Sequence, residues 1–139
     1  MKKVLITGTF DHIHPGHINF LKQAKKLGDF LIVVIARDKT VSEVKDQTPL
    51  KNEYQRQDEI KELKIADRVI LGKIGDKFEV IERQQPDIIC LGYDQKSFTK
   101  NLKTELKKRG LTPKIVRLKS FKPHLYKSSI IKKDLKRLD

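Results

Sequence analysis

Two histidines near the N-terminus, His14 and His17, are the residues best suited to do chemistry in this sequence. They flank Pro15-Gly16 in a tight turn, after which a helical pattern begins. Imidazole N–H groups can bind phosphate oxygens, and a helix N-terminus adds free N–H groups and the positive end of its dipole. A histidine pair at this spacing can also ligate a metal, but no cysteine or acidic cluster nearby completes a plausible ligand set. The pair therefore favours an anion site.

The elements around this turn place it at the end of a strand. Residues 4–6 are a short apolar segment typical of a buried strand, and Gly8 follows them. Apolar residues then recur on one helical face until Gly28 ends the pattern. Gly8 and Gly16 would let the main chain approach a ligand closely. Because parallel α/β sheets bind ligands at the carboxyl ends of their strands, this order predicts a phosphate site.

The combined motif, Gly-Thr-Phe-Asp at 8–11 and His-Pro-Gly-His at 14–17, resembles the GTFD…HxGH signature of the nucleotidyltransferase superfamily. Its members include cytidylyltransferases, phosphopantetheine and nicotinamide-mononucleotide adenylyltransferases, and archaeal-type FAD synthases. The resemblance implies attack of a substrate phosphate on the α-phosphate of a nucleoside triphosphate, with release of pyrophosphate. It implies that His14 and His17 are catalytic, contacting triphosphate oxygens and stabilising the transition state. It also implies that Thr9, Phe10 and Gly16 bind the nucleotide.

The polar segment 38–52 is interpreted as a loop that covers the site. In cytidylyltransferases and FAD synthases this region carries lysines close to the substrate phosphate. The resemblance therefore makes Lys45 a candidate catalytic residue that contacts this phosphate, with Lys39 as the second candidate. A solvated loop lysine is the alternative for Lys45.

The helix predicted at 53–63 contains Arg56 within a Tyr-Gln-Arg triplet. This triplet resembles the short helix of the family that bears an arginine near the acceptor substrate. Arg56 would then clamp a phosphate bidentately, which the planar guanidinium does better than an ammonium. The alternative is that Arg56 lies on the exposed face of the helix, which also carries Asp58, Glu59 and Glu62.

Two further elements resemble nucleotide-binding motifs of the family. The strand predicted at 87–92 opens into Asp94-Gln95, which resembles the Gly-x-Asp-Gln version found in FAD-synthase-like members and would contact the nucleotide or its sugar. Near the C-terminus, Ser128 and Ser129 resemble the hydroxyl pair of the ISTT or ISST element that holds the triphosphate. The alternatives are an Asp-containing turn and a simple helix cap.

The same regions separate the candidate reactions. Residues 116–119, Asp94-Gln95 and the serine pair resemble FAD synthases more than the RTEGISTT version of cytidylyltransferases. The expected reaction is ATP plus FMN giving FAD and pyrophosphate, with Mg²⁺ carried by the triphosphate and no protein metal site. The aromatic candidates for the flavin wall are Phe98, Phe121 and Tyr126. The alternatives are a CTP-dependent glycerol-3-phosphate cytidylyltransferase and a non-catalytic module that binds nucleotides or nucleic acid.

Composition limits the other functional classes. The 139 residues fit one domain, 1–139, and the net charge of +13 suits an anionic partner, although lysine-rich composition alone could produce it. Aromatic residues are only 6%, which makes nucleic acid an unlikely main ligand. No apolar run is long enough for a membrane span, and no signal peptide precedes the first strand. Cys90 is the only cysteine, which excludes an internal disulfide, and its place in an apolar run predicts that it is buried in the core. We therefore expect a cytoplasmic protein, and a homodimer, which is common in the family, remains open.

The alternation of five strands with helices predicts an α/β fold, a Rossmann-like doubly wound parallel sheet. The later strands are predicted at 30–36, 66–72, 87–92 and 114–118. The later helices are predicted at 53–63, 78–83 and 98–109, with a further helix at the C-terminus.

Overall fold

A computed structural model of the chain describes residues 1–11, 13–39, 51–74, 78–91 and 102–118. The strands are β1 (Lys3–Gly8), β2 (Phe30–Ile35), β3 (Arg68–Leu71), β4 (Ile88–Leu91) and β5 (Lys114–Arg117). The helices are α1 (Pro15–Lys26), α2 (Glu53–Glu62), α3 (Glu79–Gln84) and α4 (Leu102–Lys108). Five predicted site residues, Lys45, Asp94, Gln95, Ser128 and Ser129, lie outside the described residues, as do the three aromatic candidates for the flavin wall.

The five strands form one sheet in the order β3-β2-β1-β4-β5, and every neighbouring pair is parallel. The central strand β1 pairs with β2 on one side and β4 on the other, so that Ile6 faces Val33 and Cys90. The strand order reverses between β1 and β4. This is the topological switch point at which such sheets leave a crevice for ligands. The prediction of a Rossmann-like parallel sheet is confirmed.

Apolar side chains cover both faces of the sheet, because the central strands of a parallel sheet are buried on both sides. One cluster joins Val4, Ile6, Leu31 and Val33 to side chains from α1 and α2. The other joins Leu5, Ile32, Val34 and Ile89 to side chains from α3 and α4. Helices therefore lie on both faces of the sheet, which is the doubly wound arrangement expected from the sequence.

The described elements agree with the sequence prediction except at their ends, and the helix predicted at the C-terminus lies outside the described residues. The third strand is four residues, Arg68–Leu71, where 66–72 was expected. Its flanks still bond to the neighbouring strand, since the N–H of Asp67 donates to the Leu31 carbonyl and that of Gly72 to Ile35. The difference is therefore one of element boundary rather than of register.

Cys90 lies in the middle of β4 with no solvent-exposed surface, which confirms its predicted burial. Desolvation raises the pKa of its thiol to about 12, so the thiolate is disfavoured. Cys90 is therefore a buried core residue whose thiol stays protonated. In the part of the chain that the structure describes, no helix is long and apolar enough to cross a membrane.

Candidate functional site

The candidate site begins at the N-terminus of α1, where His14 is the N-cap residue. Pro15 occupies the first helical position, where its missing N–H costs nothing. The Nδ1 atom of His14 accepts a hydrogen bond of 3.0 Å from the Gly16 N–H, and the His14 carbonyl accepts one of 3.2 Å from the Ile18 N–H. Because Nδ1 is an acceptor here, the neutral imidazole carries its proton on Nε2. The cap therefore fixes the tautomer that has a donor at Nε2.

The two histidine rings lie together at this helix end. Their centroids are 3.9 Å apart and the planes are tilted by 31°, while His14 is only 8% exposed. Their side chains therefore form one polar surface beside the positive end of the α1 dipole. Such a surface suits phosphate oxygens, which accept hydrogen bonds and carry negative charge.

Phe10 also packs against His17. The two ring centroids are 5.4 Å apart with a T-shaped arrangement, and Phe10 is only 6% exposed. Its backbone has a φ of +53°, in the left-handed region that costs a non-glycine residue roughly 1–2 kcal/mol. A Cβ added at Gly8 would lie 2.7 Å from the Phe10 ring. The space beside Gly8, where a ligand was expected to approach, is therefore occupied by the Phe10 ring.

Arg56 connects the β1–α1 turn to two other segments. Its side chain has no exposed surface, so the alternative of an exposed helix face is wrong. Nη1 donates 2.7 Å to the Thr9 carbonyl, Nη2 donates 2.7 Å to Oδ1 of Asp38, and Nε donates 3.1 Å to the Lys51 carbonyl. The guanidinium of a buried arginine must find such acceptors, since an unpaired buried charge is costly. All three nitrogens therefore donate to protein acceptors, and the phosphate clamp remains a prediction.

Carboxylates balance the charge of the buried arginine. Asp38, directly after β2, accepts from Arg56 and, through Oδ2, from the Glu53 N–H at 3.2 Å. Glu53 accepts from the Asp38 N–H at 3.0 Å and lies 2.7 Å from Nε of Arg37. Two cations and two carboxylates thus form a neutral network that ties the end of β2 to the start of α2.

A second set of bonds ties the β1–α1 turn to the start of α2. Oδ1 of Asp11 accepts from the Lys51 N–H at 2.9 Å. Asn52 caps α2 through a capping box with Gln55, which fixes where this helix begins. Residues 9–11 are therefore held in place by hydrogen bonds from the Arg56 side chain and the Lys51 N–H.

Six of the predicted site residues lie at this corner of the fold. Five of them lie between the end of β1 and the first turn of α1, namely Thr9, Phe10, His14, Gly16 and His17, and the sixth, Arg56, contacts Thr9. Their observed contacts refine the predicted roles. The Thr9 carbonyl and the Gly16 N–H are already engaged with Arg56 and His14 respectively, and the Phe10 ring packs on His17. Lys39, the second candidate for the acceptor phosphate, is exposed.

The sequence reasoning missed the residues that hold the corner together, namely Asp38, Glu53 and Asp11 as acceptors and Asn52 as a cap. Asn52 and Gln55 form an N-cap pattern that could have been found by its three-residue spacing. Asp38 follows the carboxyl end of a buried strand, a position where polar residues commonly line a site. No local sequence pattern indicates that Asp38 pairs with Arg56, which is 18 residues away.

The donor set at this corner consists of imidazole and amide N–H groups. Among the described residues, no group of three or more His, Cys, Asp or Glu side chains could hold a metal ion. The site chemistry here fits phosphate oxygens better than it fits a hard cation, which prefers carboxylate and carbonyl ligands.

Comparison with known proteins identifies the family. The family model of cytidylyltransferase-like proteins matches residues 5–134. An FAD synthase from Methanosarcina barkeri is 46% identical over 139 residues, which cover 99% of each chain. An FAD synthase from Aciduliprofundum boonei is 48% identical over 121 residues, 87% of this chain and 80% of its own.

Among solved structures, the lipopolysaccharide core biosynthesis protein from Thermoplasma volcanium superimposes with a TM-score of 0.82. It is 46% identical, and the match covers 87% of this chain and 98% of that one. These matches confirm the resemblance predicted from the GTFD…HxGH motif, and the chain belongs to the cytidylyltransferase-like family of nucleotidyltransferases.

Proposed function

We propose that this enzyme is an FAD synthase, which transfers the adenylyl group of ATP to FMN and releases pyrophosphate. The observation that carries the proposal is its 44–50% identity to FAD synthases from several organisms over most of the chain. The corner at the end of β1 agrees with this chemistry, because its histidine pair and helix N-terminus suit a polyphosphate.

In this reaction an FMN phosphate oxygen attacks the α-phosphorus of ATP. The bond between that phosphorus and the oxygen bridging to the β-phosphate breaks, and its electron pair leaves with pyrophosphate. The Nε2–H of His14 is a donor for the negative charge that builds up on the triphosphate, and His17 acts beside it. Because no covalent protein nucleophile is required, positioning and charge stabilisation supply the catalysis.

The remaining site assignments extend this proposal. Thr9, Phe10 and Gly16 form the wall of the nucleotide site, with Phe10 acting through its contact with His17. Asp94 and Gln95 contact the nucleotide, since they follow β4, which pairs with the central strand β1. Ser128 and Ser129 hold the triphosphate, and Lys45 contacts the FMN phosphate.

Nucleotidyl transfer is consistent with a divalent metal, and we assign Mg²⁺ to it. The described donor set leads us to expect that Mg²⁺ arrives with the triphosphate and keeps its ligands from phosphate and water. When bound, it would neutralise charge on the leaving pyrophosphate. We also propose that residues 1–139 form one catalytic domain in the cytoplasm. Whether it assembles as a homodimer is a question for light scattering.

The substrate assignment is tested by a pyrophosphate-release screen. ATP and CTP are each combined with FMN, glycerol 3-phosphate or phosphopantetheine in the presence of Mg²⁺. We expect turnover with ATP and FMN, and at least ~10-fold less with CTP, a difference of about 1.4 kcal/mol in transition-state binding. Chelation of the metal should abolish the signal. Turnover with CTP and glycerol 3-phosphate while FMN is inert would replace the proposal with a cytidylyltransferase.

A further inference from the structure

We infer that Arg56 is a positioning residue, which holds the strained β1–α1 turn so that Phe10 supports His17. The inference rests on the proposed function only for its kinetic test. It replaces the phosphate clamp predicted from the sequence with a role that acts through the protein itself.

The guanidinium of Arg56 is inaccessible from the surface. A bidentate phosphate clamp needs two N–H groups that face the ligand. Arg56 has no exposed surface, and each of its three nitrogens donates to an acceptor within the protein. Each Nη atom keeps a second N–H, but these lie in the interior, so a phosphate could reach them only if the side chain left its buried position and its contact with Asp38. The geometry therefore favours a fixed internal contact.

The acceptor that Arg56 reaches on the β1–α1 turn is the Thr9 carbonyl. The carbonyl of Thr9 belongs to the peptide plane that leads into Phe10, and the rotation of this plane about the Phe10 N–Cα bond is the φ angle. That angle is +53°, which is rare for a residue with a large side chain. Strained backbone persists where surrounding contacts over-determine it. The 2.7 Å bond from Nη1 of Arg56 to this carbonyl is one such contact.

The Phe10 ring connects the turn to the two imidazoles. The left-handed conformation of Phe10 places its ring over Gly8 and against His17, at a centroid distance of 5.4 Å. The ring centroid of His17 in turn lies 3.9 Å from that of His14. Arg56 is thus linked to the catalytic pair through Thr9 and Phe10. Misplacing a catalytic group by about 1 Å can cost up to ~100-fold in rate.

The test compares Arg56→Lys with Gln57→Ala. Lysine keeps the positive charge but cannot reach three acceptors in the same fork geometry. Gln57 is the matched control on the same helix, since its side chain donates 2.9 Å to the Val69 carbonyl on β3, away from the turn. Two measurements are made on each variant and on the wild type. One is steady-state kinetics with ATP and FMN, and the other is the position of the His17 ring signals in the free protein by NMR.

For Arg56→Lys we expect kcat to fall roughly 10–100-fold with KM for ATP and FMN changed less than ~3-fold. The His17 ring signals should move, because they sense the ring current of Phe10. Gln57→Ala should lose stability with kcat and the His17 signals near wild type. If Arg56→Lys does not fold, Asp38→Asn carries the same test, since it weakens the partner of Nη2 and should produce a smaller change in the same two readouts.

Three results would overturn the inference. A raised KM for FMN with unchanged kcat and unmoved His17 signals would make Arg56 a phosphate ligand. An equal loss of kcat in Gln57→Ala would reduce the effect to general destabilisation, and unchanged kcat in an active Arg56→Lys enzyme would remove the role. If the wild type does not use FMN, the proposed function fails separately. The His17 signals then decide, with movement supporting the positioning role and no movement contradicting it.

Discussion

We propose that His14 combines two roles in one imidazole, the observed helix cap and a contact with the triphosphate. Its Nδ1 atom caps α1 by accepting from the Gly16 N–H, a task that Asn, Asp or Ser performs at most helix starts. The cap leaves the Nε2–H as the remaining ring donor, beside the helix dipole. Structural and catalytic contributions can therefore be separated by a residue that caps but has no imidazole, such as asparagine.

Lys45 is the residue for which kinetics is most informative, because it lies outside the described structure. The family resemblance assigns it to the phosphate of the acceptor. Lys45→Ala should therefore raise KM for FMN more than KM for ATP, by roughly 10-fold for the loss of one charged hydrogen bond. Lys39→Ala is the matched control, since Lys39 is exposed. Unchanged KM in Lys45→Ala, with a raised KM in the control, would move the role to Lys39.

At the scale of elements, Asp67 connects the end of α1 to the edge of the sheet. Its Oδ2 accepts from the side chain of Lys25 and, at 2.8 Å, from the Leu31 N–H. The Lys25 hydrogen bond is the larger cause and the Leu31 bond the second, and together they hold the pKa of Asp67 below its usual value of 3.8. A lowered pKa in the folded state stabilises the protein above the unfolded pKa, and this stabilisation is lost as pH falls.

We therefore expect Asp67→Asn to flatten the acid limb of the stability curve. Urea unfolding at about pH 6 should show a lower free energy of unfolding for the variant, while at about pH 3 the difference from wild type should shrink. Glu62→Gln, which alters an exposed carboxylate on α2, is the control. A difference that grows on acidification would show that the carboxylate does not act in this way.

The strands and helices were predictable because each carries its own local pattern. The run Leu31–Ile35 is apolar at every position, as a strand buried on both faces must be, and Gly28 follows the end of α1. The contacts that organise the site were not predictable in this way. Arg56 is 18 residues from Asp38 and 47 from Thr9, so its partners become apparent only when the sheet brings three segments together. From its helix alone, a clamp and an exposed position were equally reasonable.

For the whole molecule, the strand order explains why the motif works at its position. Parallel sheets bind ligands at the carboxyl ends of the strands where the strand order reverses, and here the β1–α1 turn lies at such a reversal, between β1 and β4. The excess of 31 basic over 18 acidic residues adds a long-range attraction for anionic substrates such as ATP and FMN. The family motif identified both the corner and the reaction class. Asp94-Gln95, residues 116–119 and the serine pair indicated FMN as the acceptor, and the overall likeness to FAD synthases supports that prediction.

The central claim is that the histidine corner transfers the adenylyl group of ATP to FMN. Its most direct test follows the α-phosphate of labelled ATP by chromatography in wild type, His14→Asn and His17→Ala. Asparagine at position 14 can still accept from the Gly16 N–H, so the thermal stability of this variant should stay near wild type.

We predict that the wild type incorporates the label into FAD, and that either variant lowers kcat by roughly 10²–10³, the effect of losing one preorganised donor. Absence of label in FAD from the wild-type reaction, or incorporation by folded His14→Asn at close to the wild-type rate, would contradict the claim.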